Sequence, residues 1–283
     1  MVSNLSSGKR RVVVTGIGAI SPLGLNASTT WKSVLAGQSG IARTTLFELA
    51  DCPITISGEV KGFDVTRSVG PYRPKVNSQI TQAANSKDAR RVGRFVHFAL
   101  AAGLEAYEDS GLDAIRSQIV PERMGVNIGV GMGGLPEIEA VHNEFLTKGY
   151  RRVTPFFIPQ AIPNMAAGQL SILLDLKGPN LCNVSACSSS AHSLGESFRQ
   201  IQKGDVDVML AGGAEAVICK LGIAGFAAMK ALSSRNASPE QASRPYDQNR
   251  DGFVMGEGSA ILVLEEYAFA KKRGAKIYGE TTG

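Results

Sequence analysis

Ten residues of the chain, Asn183 to His192 (NVSACSSSAH), hold one thiol, four hydroxyls and an imidazole. Such a cluster is either a nucleophile with its base beside it or a serine-rich turn around a structural cysteine. An apolar strand pattern, Asn180–Ser185, precedes Cys187, and apolar residues at helical spacing follow it at Ala191, Leu194, Phe198 and Ile201. The order strand, tight turn, cysteine, helix puts the thiol at a helix N-terminus. Unpaired N–H groups and the helix dipole favour negative charge there, which lowers a thiol pKa. The same N–H groups can stabilise an oxyanion when sulfur attacks a carbonyl. Ala186, Ser188, Ser189 and Ser190 are small and leave room for a narrow substrate arm.

His192 does not complete that site by spacing. Five residues along a helix turn through about 500°, leaving the imidazole roughly 140° from the thiol, so His192 is predicted to pack elsewhere. The serines are expected to cap the helix start. Of the other two histidines, His97 lies beside Phe95 and Phe98 in a core or interface position, and His142 lies in the charged stretch EIEAVHNEF, facing solvent. Cys187 is thus expected to be a nucleophile whose base lies outside this stretch. Cys52, Cys182 and Cys219 form no CxxC pair and have no paired histidines nearby, which argues against zinc and against a disulfide framework.

The elements that must position the thiol alternate along the chain. Arg11–Gly18 reads as a buried strand, Arg94–Ser110 as an amphipathic helix, and Met124–Gly131 as a second strand. A helix is predicted near Asn164–Leu174, and strands at Val206–Ala211, Ala260–Glu265 and Ala275–Glu280. Glycine pairs at Gly16/Gly18, Gly129/Gly131 and Gly212/Gly213 are expected to form turns at strand ends. GIGAIS lacks the third glycine of a dinucleotide fingerprint, with Ser21 in its place and Pro22 after it, so that reading is rejected. The alternation predicts one α/β domain, with residues 48–88 as an irregular surface excursion.

The chain has 283 residues, 43% of them hydrophobic, an ordinary globular composition. No apolar run is long enough to span a bilayer and the first residues lack a signal-peptide core, so a cytoplasmic protein without membrane association is expected. The net charge of +5 is concentrated in residues 61–100, where eight Lys/Arg face two Asp/Glu. Without aromatic interleaving or a zinc finger, an acidic protein partner fits this patch better than nucleic acid.

SACSSSAH, GDVDVMLAGGAEA, ALSSRN and RPYDQNRDGFVMGEGSAILVLEE occur in this order, after RVVVTGIGAISPLG and GVGMGGLPEIE…TPFFIPQAIPNMAAGQLS. Together they resemble the elongating β-ketoacyl-acyl carrier protein synthases, closest to type II. The resemblance runs from Arg11 to Gly283, with 48–88 poorly matched. It implies a thiolase-like fold of αβαβα layers built from two similar halves. Residues 1–273 would be the N-terminal half and 274–283 the first strand of the second half. The implied reaction is a decarboxylative Claisen condensation. Cys187 takes an acyl group as a thioester, its backbone N–H serves as an oxyanion donor, and malonyl-carrier supplies the two-carbon unit.

The resemblance also assigns Met132, Leu135, Phe157 and Phe226 to the acyl pocket, with Phe157 reaching across a homodimer interface. Arg90, Arg91, Arg94, Arg151, Arg152 and Lys230 would dock the acidic acyl carrier protein. No cofactor or metal is implied. The family's two histidines, lysine and glycine-rich oxyanion loop belong to its second half. Neither an HGT nor a GFGG motif occurs here, so the segment alone is expected to be inactive. Alternative readings are a polyketide-type ketosynthase, a thiolase, or a non-catalytic chain-length subunit. The last is disfavoured because Cys187 is present.

Overall fold

The structure, a computed structural model, describes residues 9–48, 50–66 and 90–282. Strand β1 (Val12–Ile20) alternates little because both faces are covered, and it lies second from one end of a six-stranded mixed sheet. After helix α1 (Ala27–Leu35), capped by the Asn26 side chain, a short hairpin pairs β2 (Ala42–Arg43) with β3 (Ile56–Ser57). Helix α2 (Arg94–Asp109) leads to β4 (Met124–Gly129), and helices α3 (Leu135–Lys148), α4 (Phe157–Ala161) and α5 (Met165–Leu174) follow. Then come β5 (Asn180–Leu181), α6 (Ser189–Lys203), β6 (Val208–Glu215) and α7 (Lys220–Ala228). The last elements are β7 (Gly258–Glu266), α8 (Tyr267–Lys272) and β8 (Gly279–Thr281).

The sheet order is β5-β4-β6-β7-β1-β8. β4 runs parallel to β5 and β6, whereas β7 is antiparallel to β6 and β1, and β8 is antiparallel to β1. One face carries α2 and α5, whose Phe95, Phe98, Leu104 and Leu170 are buried with Met124, Ile128, Leu210 and Ile261 of the strands. Each such large side chain contributes about 1.5–3 kcal/mol by leaving water. The other face carries α6 over Met209, Ala211 and Leu264. The described residues therefore form three layers, helix–sheet–helix.

The glycines of β1 do not form the turn expected of them. The strand continues to Ile20, and Gly16 and Gly18 lie under α2. A Cβ on Gly18 would come within 2.8 Å of the Ala102 carbonyl carbon and of Ala106 N. Missing side chains, not backbone flexibility, are what the position requires. Gly212 and Gly213 likewise lie inside β6 and not at its end.

Part of the stretch expected to be a surface excursion is packed. Ile54, Ile56 and Val60 are buried, and Glu59 accepts hydrogen bonds from Thr45. Residues 67–89 lie outside the described residues. The period-two apolar signal is weak in 50–66 because its buried residues join different clusters, Val60 the main core and Ile54 the group around Met255, and Gly58 N–H donates to the Met255 carbonyl.

Candidate active site

Cys187 lies just before the helix start, as the periodicity predicts, two residues ahead of the first α-helical residue. Ala186–Ser188 form a single 3-10 turn and α6 begins at Ser189. Ser185 is neither helical nor extended (φ −141°, ψ 45°), and Ala186 takes a left-handed φ of +53°, rare for a residue with a side chain. This sharp reversal lifts the cysteine clear of the sheet end, where it is exposed. A helix start leaves its first N–H groups without intrahelical acceptors, and the Cys187 N–H belongs to that set.

Two strand glycines form the seat for this turn. A Cβ on Gly129, at the end of β4, would overlap the Ser189 backbone, and one on Gly213 would come 2.7 Å from Ser190 Cβ. On the helix, the fully buried line is Ser189, Ser193, Ser197 and Ile201, four residues apart. The predicted apolar face was Ala191, Leu194, Phe198 and Ile201. Instead, Ala191 is exposed and Leu194 and Phe198 are half-buried. Small hydroxyl side chains let the helix start descend onto glycine-bearing strands, and longer apolar ones would hold it away.

His192 is exposed instead of packed, and its Nδ1 lies 2.6 Å from the Ser185 hydroxyl. It thus engages the turn and not the thiol. Ser188, at the helix N-cap, makes no side-chain capping bond. Ser189 bonds backwards instead: its hydroxyl accepts from Ser185 N–H at 2.9 Å and donates to the Ala186 carbonyl at 2.7 Å. His97 is half-buried on α2 and His142 is exposed on α3.

All four cysteines are free, and Cys187 alone among them is exposed. Burial pushes the Cys182 thiol upward, and it pushes Cys219, whose sulfur accepts from Gly222 N–H, up to about 11. A thiolate is disfavoured at both, so the accessible thiol is Cys187.

Beside the turn lies the loop Gly131–Gly134. Glu215, the last residue of β6, accepts from the backbone N–H groups of Gly131 (2.8 Å), Met132 (2.9 Å) and Gly133 (3.1 Å). A Cβ on Gly131 would meet both Glu215 Oε2, at 2.8 Å, and the Ala186 carbonyl oxygen, at 3.5 Å. The loop is wedged between the carboxylate and the cysteine turn. Desolvation raises the Glu215 pKa, and the backbone donors oppose that rise. Sequence reasoning did not single out Glu215. Its only signal was an acidic residue following a glycine pair in LAGGAEA.

The pocket candidates are brought together in part. Leu135, at the start of α3, and Phe226 of α7 belong to one apolar cluster with Ile223 and Met255, and Phe226 stacks edge-on to Phe253 at 5.4 Å. Met132 is exposed on the loop held by Glu215, and Phe157 is half-buried at the start of α4.

Of the docking candidates, Arg151, Arg152 and Lys230 are exposed. The Arg90 carbonyl accepts from Gln160 Nε2, and the Arg91 guanidinium lies 5.3 Å from the Phe156 ring, so both are tied to the α4 segment that follows Arg151 and Arg152. Arg94 is different and does not extend the patch. Its Nε and Nη2 donate to Glu257 at 3.1 and 2.8 Å, Nη2 also donates to the Val60 carbonyl, and the guanidinium stacks on Phe98. The Glu257 side chain is almost fully buried, so this arginine neutralises an interior carboxylate.

Among the described residues, no group of three or more His, Cys, Asp or Glu is arranged to hold a metal, and no helix is long and apolar enough to cross a membrane.

The family model for the β-ketoacyl synthase N-terminal domain matches residues 9–270. A relative from Vibrio cholerae, named 3-oxoacyl-[acyl-carrier-protein] synthase 2, is 48% identical over 275 residues, covering 97% of this chain and 62% of its own. The chain thus spans about three-fifths of that relative's length. A crystal structure of a β-ketoacyl synthase from Burkholderia phymatum superposes with a TM-score of 0.79 at 33% identity, over 96% of this chain and 62% of that one. A type II polyketide ketosynthase, solved with its acyl-carrier protein and a hexaketide, gives a TM-score of 0.77 at 29% identity over 98% and 63%. The three layers are part of a thiolase-like fold. With its strand–turn–helix cysteine inside a match that covers most of its length, this chain belongs to the β-ketoacyl synthase family.

Proposed function

We propose that the protein elongates fatty acyl chains by decarboxylative Claisen condensation, with Cys187 as the acyl-carrying nucleophile. The observation that carries this is the single exposed thiol, on a sharp turn at a helix start, in a chain 48% identical to a 3-oxoacyl-[acyl-carrier-protein] synthase. The lower identity of 29% to the polyketide ketosynthase favours the fatty-acid role over a polyketide one.

In the first half-reaction the Cys187 sulfur attacks the thioester carbonyl of an acyl group on the carrier's phosphopantetheine. The carbonyl oxygen becomes an oxyanion that the Cys187 N–H stabilises. The new C–S bond persists, the old one breaks, and the pantetheine sulfur leaves with a proton. In the second, malonyl-carrier loses CO₂ and its carbanion attacks the acyl-cysteine. A C–C bond forms, the cysteine thiolate is released, and the β-ketoacyl product is two carbons longer. By resemblance, the histidines and lysine that assist decarboxylation come from the family's second half, and the division at residues 273/274 belongs to the same proposal.

Leu135, Phe226 and Met132 would line the acyl chain's path, with Phe157 contributed across a homodimer interface. Arg151, Arg152 and Lys230, with Arg90 and Arg91, would dock acyl carrier protein in the cytoplasm, their charge drawing in an acidic partner. The experiment is to incubate the full natural chain with acyl-carrier substrate and map the acylated residue by mass spectrometry. Acyl label on Cys187, lost in Cys187→Ala, is the expected result. Label on Cys52, Cys182 or Cys219 overturns the assignment.

A further inference from the structure

The turn that carries Cys187 holds an alanine where glycine would be at ease. Ala186 has φ +53°, a conformation an L side chain disfavours and that persists only where its surroundings enforce it. Three side chains of α6 tie it to the segment before Cys187. Ser193 donates to Asn183 Oδ1 at 3.2 Å, His192 meets the Ser185 hydroxyl, and Ser189 contacts the backbone itself.

Only the last of these brackets the left-handed residue, with one bond to the N–H before it and one to its own carbonyl. Ser189 is 3% exposed, so water does not substitute readily for its hydroxyl, and its backbone is pressed onto Gly129. Both the thiol direction and the Cys187 N–H direction follow from the Ala186 dihedrals, because the Ala186–Cys187 peptide is the next rigid unit.

We infer that Ser189 is a positioning residue: its hydroxyl locks Ala186 in the left-handed turn and so aims the Cys187 sulfur and N–H at one acyl carbonyl. This rests on Cys187 being the nucleophile. Acyl transfer needs both groups aligned, whereas simple alkylation of an exposed thiol needs only the sulfur. The two reactions should therefore respond differently to loss of the clamp.

The test uses the full natural chain and two probes, hexanoyl-pantetheine for acyl transfer and iodoacetamide for alkylation, with thermal unfolding alongside. Ser189→Ala is expected to slow acylation of Cys187 by about ten- to a hundredfold, the scale of a small misplacement of reacting groups. Iodoacetamide alkylation should stay within about threefold, since the thiol remains exposed. Ser189→Thr, which keeps the hydroxyl, should restore acylation.

In an Ala186→Gly background, glycine takes the turn unaided, so Ser189→Ala should cost less than about threefold. If Ser189→Ala loses its cooperative unfolding transition, that glycine background still carries the comparison, and a large loss of acylation there overturns the inference. Unchanged acylation in Ser189→Ala overturns it, as do equal losses in both backgrounds or loss of both reactions together. Cys187→Ala run in parallel separates the two claims: acyl label that survives it removes the nucleophile, not the clamp.

Discussion

His192 Nδ1 lies 2.6 Å from the hydroxyl of Ser185, two residues before Cys187. The imidazole closest in sequence to the thiol is therefore a strut of the turn. This contact holds the residues before Cys187 against the first turn of α6.

Replacing His192 with Ala should thus lower stability only modestly, by about 0.5–1.5 kcal/mol for one partly exposed hydrogen bond. Cys187 should keep its alkylation rate within a few-fold. Stopped-flow alkylation with thermal unfolding checks this, and loss of thiol reactivity in a fully folded variant would make His192 the base after all.

Glu215 links the glycine loop to β6, and Glu215→Ala strands three N–H donors at once. A loss of about 1–3 kcal/mol is expected, from a part-buried network in which one carboxylate serves three donors. Chemical denaturation measures it directly, and a loss below 1 kcal/mol would mean that the loop is held by other contacts.

The same carboxylate has a pH signature. Burial holds Glu215, Glu105 and Glu137 above the usual glutamate range. A raised carboxyl pKa means that the folded state binds the proton more tightly than the unfolded chain. The associated stability is full below the ordinary glutamate pKa and is lost as pH rises through the folded value. Glu215→Gln should flatten that decline by one group's share. An unchanged pH slope between wild type and variant would contradict the burial account.

Asp207 acts with the opposite sign. Hydrogen bonds from Arg123, and secondarily from Arg10, hold its pKa below the usual aspartate range. Its stability contribution is full above the ordinary aspartate pKa and is lost as pH falls through the folded value. Asp207→Asn should remove that part of the acid sensitivity, read from unfolding curves between neutral and strongly acidic pH.

Arg94 and the Arg151/Arg152 pair should separate cleanly. Arg94→Ala leaves Glu257 buried without its partner and is expected to cost about 3–5 kcal/mol. Reversing Arg151 and Arg152 to Glu should leave thermal stability within about 0.5 kcal/mol, as for other exposed substitutions, and weaken acyl carrier binding in a salt-sensitive way. Unchanged carrier affinity would return those two residues to ordinary surface charge.

The sequence by itself determined the α/β class and the helix after Cys187, because those signals are local periodicities, whereas the strand expected over 180–185 shrinks to Asn180–Leu181. It also singled out Cys187, the thiol that the structure leaves exposed at the helix start. What it misread were roles that depend on distant partners. Gly16 and Gly18 looked like a turn until α2 was laid across them. Arg94 looked like surface charge until Glu257, 163 residues away, came beneath it. Glu215 and the loop it holds are 84 residues apart. The tertiary structure decided these because contacts that remote leave no period in the chain, and because the cost of burying a charge or a backbone donor appears only once the burial exists.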